Sequence, residues 1–131
     1  DVRVRILNPI LFGSENKDAV VIRLEYGNTA VLFTGDIDSS TEKRLINEFD
    51  TFLPADILKA AHHGSNTSSS LSFSRRVAAK WVIFSTGINN RFGHPDPLVI
   101  DRFRRLGTIM HNTAQDQAAV FQLDGESVIH K

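Results

Sequence analysis

The chain has 131 residues, no cysteine and a formal net charge of +0, with 15 basic and 15 acidic side chains. This length allows a hydrophobic core, and we expect residues 1–131 to form a single domain. The lack of cysteine excludes disulfides, thiolate metal sites and a cysteine nucleophile. The balanced charge argues against a uniformly basic nucleic-acid binder but leaves room for a local basic patch. No apolar run approaches the roughly 20 residues of a membrane-spanning helix.

The amino-terminal part is predicted to consist of strands. Apolar and charged residues alternate over Asp1–Leu7, which is the pattern of a half-exposed strand. A polar loop over Gly13–Asp18 leads to a second strand, Ala19–Tyr26. The pair Gly27-Asn28 predicts a tight turn into a third strand, Thr29–Thr34, so the second and third strands should form a hairpin. Because Asp1 already lies in a strand pattern, we expect the chain to be a piece of a longer protein.

The rest of the chain alternates helices and strands, which predicts a layered α/β (α+β) arrangement around a mixed sheet. A capping box, Ser39-Ser40-Thr41-Glu42, should open a helix that runs to Phe49. Asp96-Pro97 should start another helix that ends at Gly107. The other predicted elements are a helix over Leu71–Ala79 and strands over Asp56–Ala61, Lys80–Ser85, Thr108–Met110, Ala118–Leu123 and Ser127–His130, the last two joined at Asp124-Gly125.

Side chains suited to metal binding follow two of the apolar strands. One strand runs into Gly35 and Asp36, and another runs into His62 and His63. Carboxylate and imidazole groups suit zinc or manganese. Asp36 could equally be a turn or helix-capping residue. Since neighbouring strand residues point to opposite faces, we expect one of the two histidines to face the site and the other to support it.

Other polar residues give weaker signals. His94, taken by itself, is more typical of a loop histidine than of a ligand. Ser65 follows the histidine pair but lacks the surroundings of a nucleophile elbow, which argues against a hydrolase serine. His111 and His130 lie in or near the last strands and are interpreted as structural.

Three stretches, Leu32–Asp36, Asp56–Ser68 and Ser85–Pro95, resemble the metallo-β-lactamase superfamily in their order and spacing. Within it they resemble the C-terminal domain of the ComEC/Rec2 competence proteins, which are DNA-uptake channels. The resemblance implies an αββα sandwich. This chain would be its C-terminal half, a mixed sheet with helices on one face.

The resemblance also implies roles for individual residues. Asp36 matches the family's metal-bridging carboxylate, and His62-His63 matches its last metal-binding histidine motif. Either histidine could be the ligand, with His62 favoured by its position directly after the strand. Asp36 and His63 are the implied catalytic residues, and the implied substrate contacts are Asn90, Arg91, His94 and Ser65.

One family motif is missing. The main metal motif, His-x-His-x-Asp-His, is absent, and no histidine precedes Asp36. Zinc or manganese is therefore expected in the intact domain, while this chain alone should bind metal weakly or not at all. A half sandwich would leave one apolar sheet face uncovered, which predicts a homodimer.

The function implied by the resemblance is metal-dependent cleavage of the DNA strand that is not transported. Single-stranded DNA would bind through its phosphates, and the domain would belong to a plasma-membrane protein, on the periplasmic or extracellular side. Arg91 is the favoured phosphate contact, whereas Arg102, Arg104 and Arg105 are interpreted as a solvated helix face. The alternatives are a non-catalytic DNA-guiding module and a stand-alone hydrolase of a small phosphoester.

Overall fold

A computed structural model describes residues 1–8 and 19–131, in which six strands form one mixed sheet. The strands are hydrogen-bonded in chain order, so each strand neighbours the next one along the sequence. The first three pair antiparallel, and the third to the sixth pair parallel. The predicted mixed sheet is thus confirmed, whereas the loop expected over Gly13–Asp18 lies outside the described residues. The strands are β1 (Val2–Ile6), β2 (Ile22–Tyr26), β3 (Thr29–Phe33), β4 (Ile57–Lys59), β5 (Trp81–Phe84) and β6 (Ile109–Asn112).

Helices connect the parallel strands, as parallel pairing requires. The helices are α1 (Ser39–Phe49), α2 (Leu71–Val77), α3 (Pro97–Arg105) and the short α4 (Thr113–Asp116), with 3₁₀ turns at Asp50–Phe52 and Ala61–Gly64. A separate two-stranded hairpin, β7 (Phe121–Leu123) and β8 (Val128–His130), ends the chain. The boundaries of α1 match the prediction, and α4 was not predicted.

The main core lies between the sheet and the three longer helices. Leu32, Leu58 and Val82, one from each of three neighbouring parallel strands, are at most 1% exposed. They belong to one buried apolar cluster with Leu45, Phe73, Val99 and Phe103 of α1, α2 and α3. The opposite sheet face is only partly covered. The β7–β8 hairpin contacts it through Phe121, whose ring centroid lies 5.3 Å from that of Trp81.

The start of α1 corrects one prediction. Asp38, not Ser39, is the capping residue, and its side chain accepts a hydrogen bond from the Thr41 amide at 2.9 Å. Glu42 does not reach back to the helix start as a capping box requires. Its carboxylate is buried and accepts hydrogen bonds from the amides of Ser69 and Ser70 instead. The capping-box prediction was wrong because tertiary contacts recruit Glu42.

Candidate cation-binding site at the sheet edge

Asp36 lies at the carboxyl-terminal edge of the parallel strands, just after β3. Two hydrogen bonds tie the end of β3 to the end of β4 at this edge. The Thr34 hydroxyl donates to the Lys59 carbonyl at 2.7 Å, and the His62 amide donates to the Gly35 carbonyl at 3.0 Å. Open α/β sheets bind their ligands at this edge, because the loops there converge. Strand pairing therefore brings Asp36 next to the histidine pair.

The two histidines lie in a tight turn and not directly at the end of a strand as predicted. β4 ends at Lys59, and His62 and His63 have φ angles of 48° and 56°. This left-handed conformation is unusual for residues with a Cβ and costs about 1 kcal/mol or more each. Since the strand has ended, the expected alternation of faces does not apply. The turn sends the two rings to different neighbours.

His63 is the histidine that faces Asp36. Its Nδ1 lies 2.6 Å from the Ser85 carbonyl oxygen, which can only accept, so Nδ1 carries the proton. In neutral His63 this leaves an acceptor at Nε2, 3.8 Å from Oδ1 of Asp36. That separation is too long for a hydrogen bond, and it sets two acceptors opposite each other. Such a pair is suited to a shared cation.

Lys59 is a third charged group at this site, and the sequence analysis missed it. Its Nζ lies 3.9 Å from Asp36 Oδ1 and donates to the Gly35 carbonyl at 3.3 Å. Burial lowers the pKa of Lys59, and the nearby Asp36 carboxylate opposes that shift. The available signal was a lone charge in the apolar run Ile57–Ala61.

His62 points toward His94 instead. The two rings meet edge to face, with centroids 5.9 Å apart. Within the part of the chain that the structure describes, the buried Nδ1 of His62 has no hydrogen-bond partner. Burial, followed by the neighbouring His62 and His63, lowers the pKa of His94, while Asp96 opposes this shift. His94 is therefore favoured in its neutral form.

The loop after β5 forms one wall of a cleft beside His63. Asn90 braces this loop, because its side chain donates to the His94 carbonyl and accepts from the Phe92 amide at 3.0 Å. The cleft has a volume of about 300 Å³. Among the described residues that line it, Arg91 is the one permanent cation and there is no carboxylate. The cleft also borders Phe92 and His94.

Ser65 is buried and engaged locally. Its hydroxyl lies 3.0 Å from the Thr67 hydroxyl and accepts from the Thr67 amide at 3.3 Å. Its own amide donates to the His62 carbonyl at 2.9 Å, which closes the histidine turn. These contacts give Ser65 a part in shaping the turn. Its predicted contact with substrate stays a prediction.

The described residues supply an incomplete ligand set for a divalent metal. Over residues 1–8 and 19–131, no group of three or more histidine, aspartate or glutamate side chains is arranged to hold a metal ion. Asp36 and His63 provide two donors, whereas a structural zinc site has four protein ligands and a catalytic one has three. A tight metal site therefore does not fit the described residues by themselves.

The basic side chains of α3 divide into two kinds. Arg102 donates to the carbonyls of Ser68 and Ser69 at 3.1 and 3.3 Å and to the Asn66 side chain at 2.6 Å. Its interpretation as a solvated residue was therefore wrong, because it clamps the loop after the histidine turn. Arg104 and Arg105 lie on the exposed face and pair with Asp101, as expected for a solvated helix surface.

Fold and site together define a mixed α/β domain with a carboxylate–imidazole pair at the carboxyl-terminal edge of its parallel strands. No family model matches the chain. Several curated proteins do match it. The chain is 35% identical over 109 residues to Competence protein ComA of Neisseria gonorrhoeae and 33% identical over 107 residues to ComE operon protein 3 of Bacillus subtilis. It is 31% identical over 112 residues to Recombination protein 2 of Haemophilus influenzae.

These matches establish the family. They cover 80–84% of this chain, and the chain belongs to the ComEC/Rec2 family of competence proteins. The aligned segments make up 14–16% of the length of these relatives. None of the helices in the described part of the chain has the length and apolar content needed to cross a membrane.

Proposed function

We propose that this chain is the part of a competence DNA-uptake protein that takes part in cleaving the backbone of single-stranded DNA, namely the strand that is not taken up. The chain would form the C-terminal half of a metallo-β-lactamase-like domain. The observation that carries the proposal is the facing pair of acceptors, Asp36 Oδ1 and His63 Nε2, beside a cleft that Arg91 lines. Membership of a competence family supports DNA as the substrate.

In this proposal the chain contributes two donors to a zinc or manganese site, and the remaining donors come from the longer protein. When bound, the cation would neutralise charge on the phosphate oxygens. His63 is held for this role by the Ser85 carbonyl. His62 stays a candidate ligand, since its buried Nδ1 has no hydrogen-bond partner among the described residues.

The cleft residues bind the DNA strand. The Arg91 guanidinium pairs with a backbone phosphate, which is the contact that makes nucleic-acid affinity depend on salt. His94, whose pKa is lowered, offers a neutral imidazole at the cleft wall. Asn90 keeps the loop in place through its two internal hydrogen bonds. Ser65 supports the histidine turn.

Cleavage of single-stranded DNA by the full-length protein tests this function. With manganese present, we expect Asp36→Asn and His63→Gln each to lower the cleavage rate by about 100-fold or more, as expected when transition-state charge loses its stabilisation. Asp101→Asn, on the exposed face of α3, is the matched control and should leave the rate unchanged. Cleavage by Asp36→Asn at the wild-type rate would refute the proposal.

A second candidate function is a non-catalytic module that guides DNA. The incomplete donor set of the described residues favours it. In this case cells that carry Asp36→Asn would take up DNA normally, and the purified full-length protein would not cleave DNA under any metal condition. A stand-alone hydrolase of a small phosphoester is less well supported, because the relatives are competence proteins.

We further propose that the domain is attached to a membrane-embedded part of the same polypeptide and lies on the periplasmic or extracellular side. In the isolated chain, a second copy is the proposed occupant of the open apolar sheet face. Val2, Val4 and Ile6 of β1 are 58–63% exposed there, and β1 lies at the end of the sheet order. A continuous apolar surface of this kind favours self-association.

A further inference from the structure

We propose that Phe92 is a stacking platform for a base of single-stranded nucleic acid, next to the phosphate that Arg91 contacts. The inference rests on the proposed function and extends it from phosphate contacts to base contacts. Phe92 is 78% exposed, far more than a phenylalanine that serves the core. Among the described residues, the Phe92 ring lies outside the buried apolar cluster, so the packing of that cluster does not require an aromatic side chain at this position.

The loop fixes the backbone of Phe92, and the Phe92 ring lies beside that of His94. The Phe92 amide is fixed by Asn90 at 3.0 Å, and the ring lies nearly parallel to that of His94, with a 20° angle and centroids 6.1 Å apart. A residue whose backbone is fixed in this way loses less conformational freedom when a base stacks on its ring. Its large exposed fraction leaves most of the ring surface available to such a base.

The surroundings of the ring select nucleic acid as the partner. Phe92, Arg91 and His63 line the same cleft of about 300 Å³, which has no carboxylate among its described lining residues. An aromatic ring beside a cation in a groove free of negative charge is the arrangement by which proteins bind single strands without sequence preference. Bases paired within a duplex are not free to stack on such a ring, so the partner is single-stranded.

The test measures, by fluorescence anisotropy at low salt, the affinity of the chain for two fluorescein-labelled oligomers of equal length. One is oligo(dT), and the other is an abasic strand with the same number of phosphates. The wild-type chain should bind oligo(dT) at least about fivefold more tightly than the abasic strand, which is the contribution of one stacked base. Phe92→Ala should abolish this preference and leave abasic binding unchanged. Phe92→Tyr should retain it, and Val120→Ala, another exposed apolar position, should not alter it.

A phosphate variant separates this inference from the proposed function. Arg91→Gln should weaken binding to both oligomers equally and reduce the salt slope by about 0.7. Equal wild-type affinity for the two strands overturns the stacking role but leaves phosphate binding intact. Failure to bind either strand overturns both. A base preference that depends on Phe92, in a full-length protein that does not cleave DNA, supports the stacking role and refutes only the nuclease.

Discussion

Gly64 follows the two histidines and shows how single residues set the geometry of the site. Its φ is +87°, and a Cβ built there would lie 2.7 Å from Pro95 Cβ and 2.8 Å from Phe84 Cδ1. Side chains do not approach this closely. Gly64 also accepts a hydrogen bond from the Asp96 amide at 2.9 Å, so it joins the histidine turn to the start of α3.

Gly64→Ala should therefore destabilise the domain strongly. We expect a loss of about 2–4 kcal/mol in the free energy of unfolding, from the strained φ and from overpacking against Phe84 and Pro95. Gly93 is the matched control, because its φ is +69° and no atom lies within 4 Å of an added Cβ. Gly93→Ala should cost only about 1 kcal/mol. Urea unfolding measures both values, and equal losses would contradict the packing argument.

Glu42 gives the stability of the domain a specific pH dependence. Burial raises the pKa of Glu42, and the hydrogen bonds from Ser70 and Ser69 and the charge of Arg102 oppose the shift. Because the pKa of Glu42 is higher in the folded state, the protonated form of Glu42 stabilises the fold. This contribution is fully present below the unfolded-state pKa of about 4.3 and is lost as the pH rises through the folded-state pKa.

Glu42→Gln removes this titration. It also points the side-chain NH₂ group of glutamine at a backbone N–H, so that two donors face each other. We therefore expect a loss of about 1–3 kcal/mol in the free energy of unfolding at acidic pH. The stability advantage of the wild type over the variant should shrink as pH rises from 4 to 7. Denaturant unfolding across this range measures the difference. A difference that grows with pH would show that Glu42 is held ionised.

At the scale of single residues, the sequence indicated that Asp36 and the histidine pair lie close together, but it did not indicate their other contacts. Asp36 and His63 were singled out, and the structure brings them within 3.8 Å of each other. The contact partners of Lys59 and Arg102 could not be foreseen, because both sets of contacts join segments that are distant in the sequence. A pattern along the chain cannot reveal such contacts.

The loop between the histidine turn and α2 supports the site. Glu42 of α1 and Arg102 of α3 hold it from two sides, the first through amides and the second through carbonyls. The loop also bonds to α1 through the Ser39 amide, which donates to the Thr67 carbonyl at 3.0 Å. The two helices thus fix the position of a segment that has no regular structure.

Removing the Arg102 clamp should loosen this loop. In Arg102→Gln we expect faster hydrogen exchange at the Ser69 and Ser70 amides. The reason is that the carbonyls which Arg102 contacts, and the buried Glu42 carboxylate, lose the positive charge of Arg102. Arg104→Gln, on the exposed face of the same helix, is the control and should leave these rates unchanged. Hydrogen exchange followed by NMR measures the rates. Identical exchange in the two variants would show that Arg102 is dispensable.

Predictions at the scale of elements succeeded where the signals are local. The start of α3 at Asp96-Pro97 is confirmed, with the Asp96 side chain accepting from the Leu98 amide at 2.8 Å. The hairpin turn at Gly27-Asn28 is also confirmed. The strand expected over Asp56–Ala61 is shorter, Ile57–Lys59, because the residues before the histidines begin the turn. Apolar composition alone cannot mark that change.

At the scale of the whole molecule, the two faces of the sheet differ. One face is buried under the helices, while the other carries the exposed side chains of β1, with Tyr26 of β2 and Phe33 of β3. The pairing register places Val2 opposite Tyr26 and Ile6 opposite Ile22, so these residues share one face. The β7–β8 hairpin lies on the same side but farther along the sheet, near Trp81. The order of the strands in the sheet depends on long-range pairing, which the sequence alone did not specify.

This open face predicts that the isolated chain self-associates. Sedimentation velocity at tens of micromolar should show a dimer, since burial of several apolar side chains stabilises association. Val4→Asp should shift the chain to monomer, because it would bury an unpaired charge in the interface. Leu98→Asp, at an exposed position on α3, is the control and should remain dimeric. A wild-type monomer would contradict self-association through this face.

Calorimetric titration tests how tightly the isolated chain binds a metal ion. Because Asp36 and His63 supply only two donors, zinc or manganese should bind weakly or not measurably in a titration of the 131-residue chain. Submicromolar binding would mean that further ligands are present in the chain.

The most direct test of the account asks whether Asp36 and His63 share a cation. Paramagnetic broadening by millimolar Mn²⁺ detects weak binding, and the imidazole NMR signals of the chain report its position. We predict that the His63 signals broaden most strongly, more than those of His111 and His130, and that this difference is lost in Asp36→Asn. Broadening that is absent, or that persists unchanged in Asp36→Asn, would contradict the account.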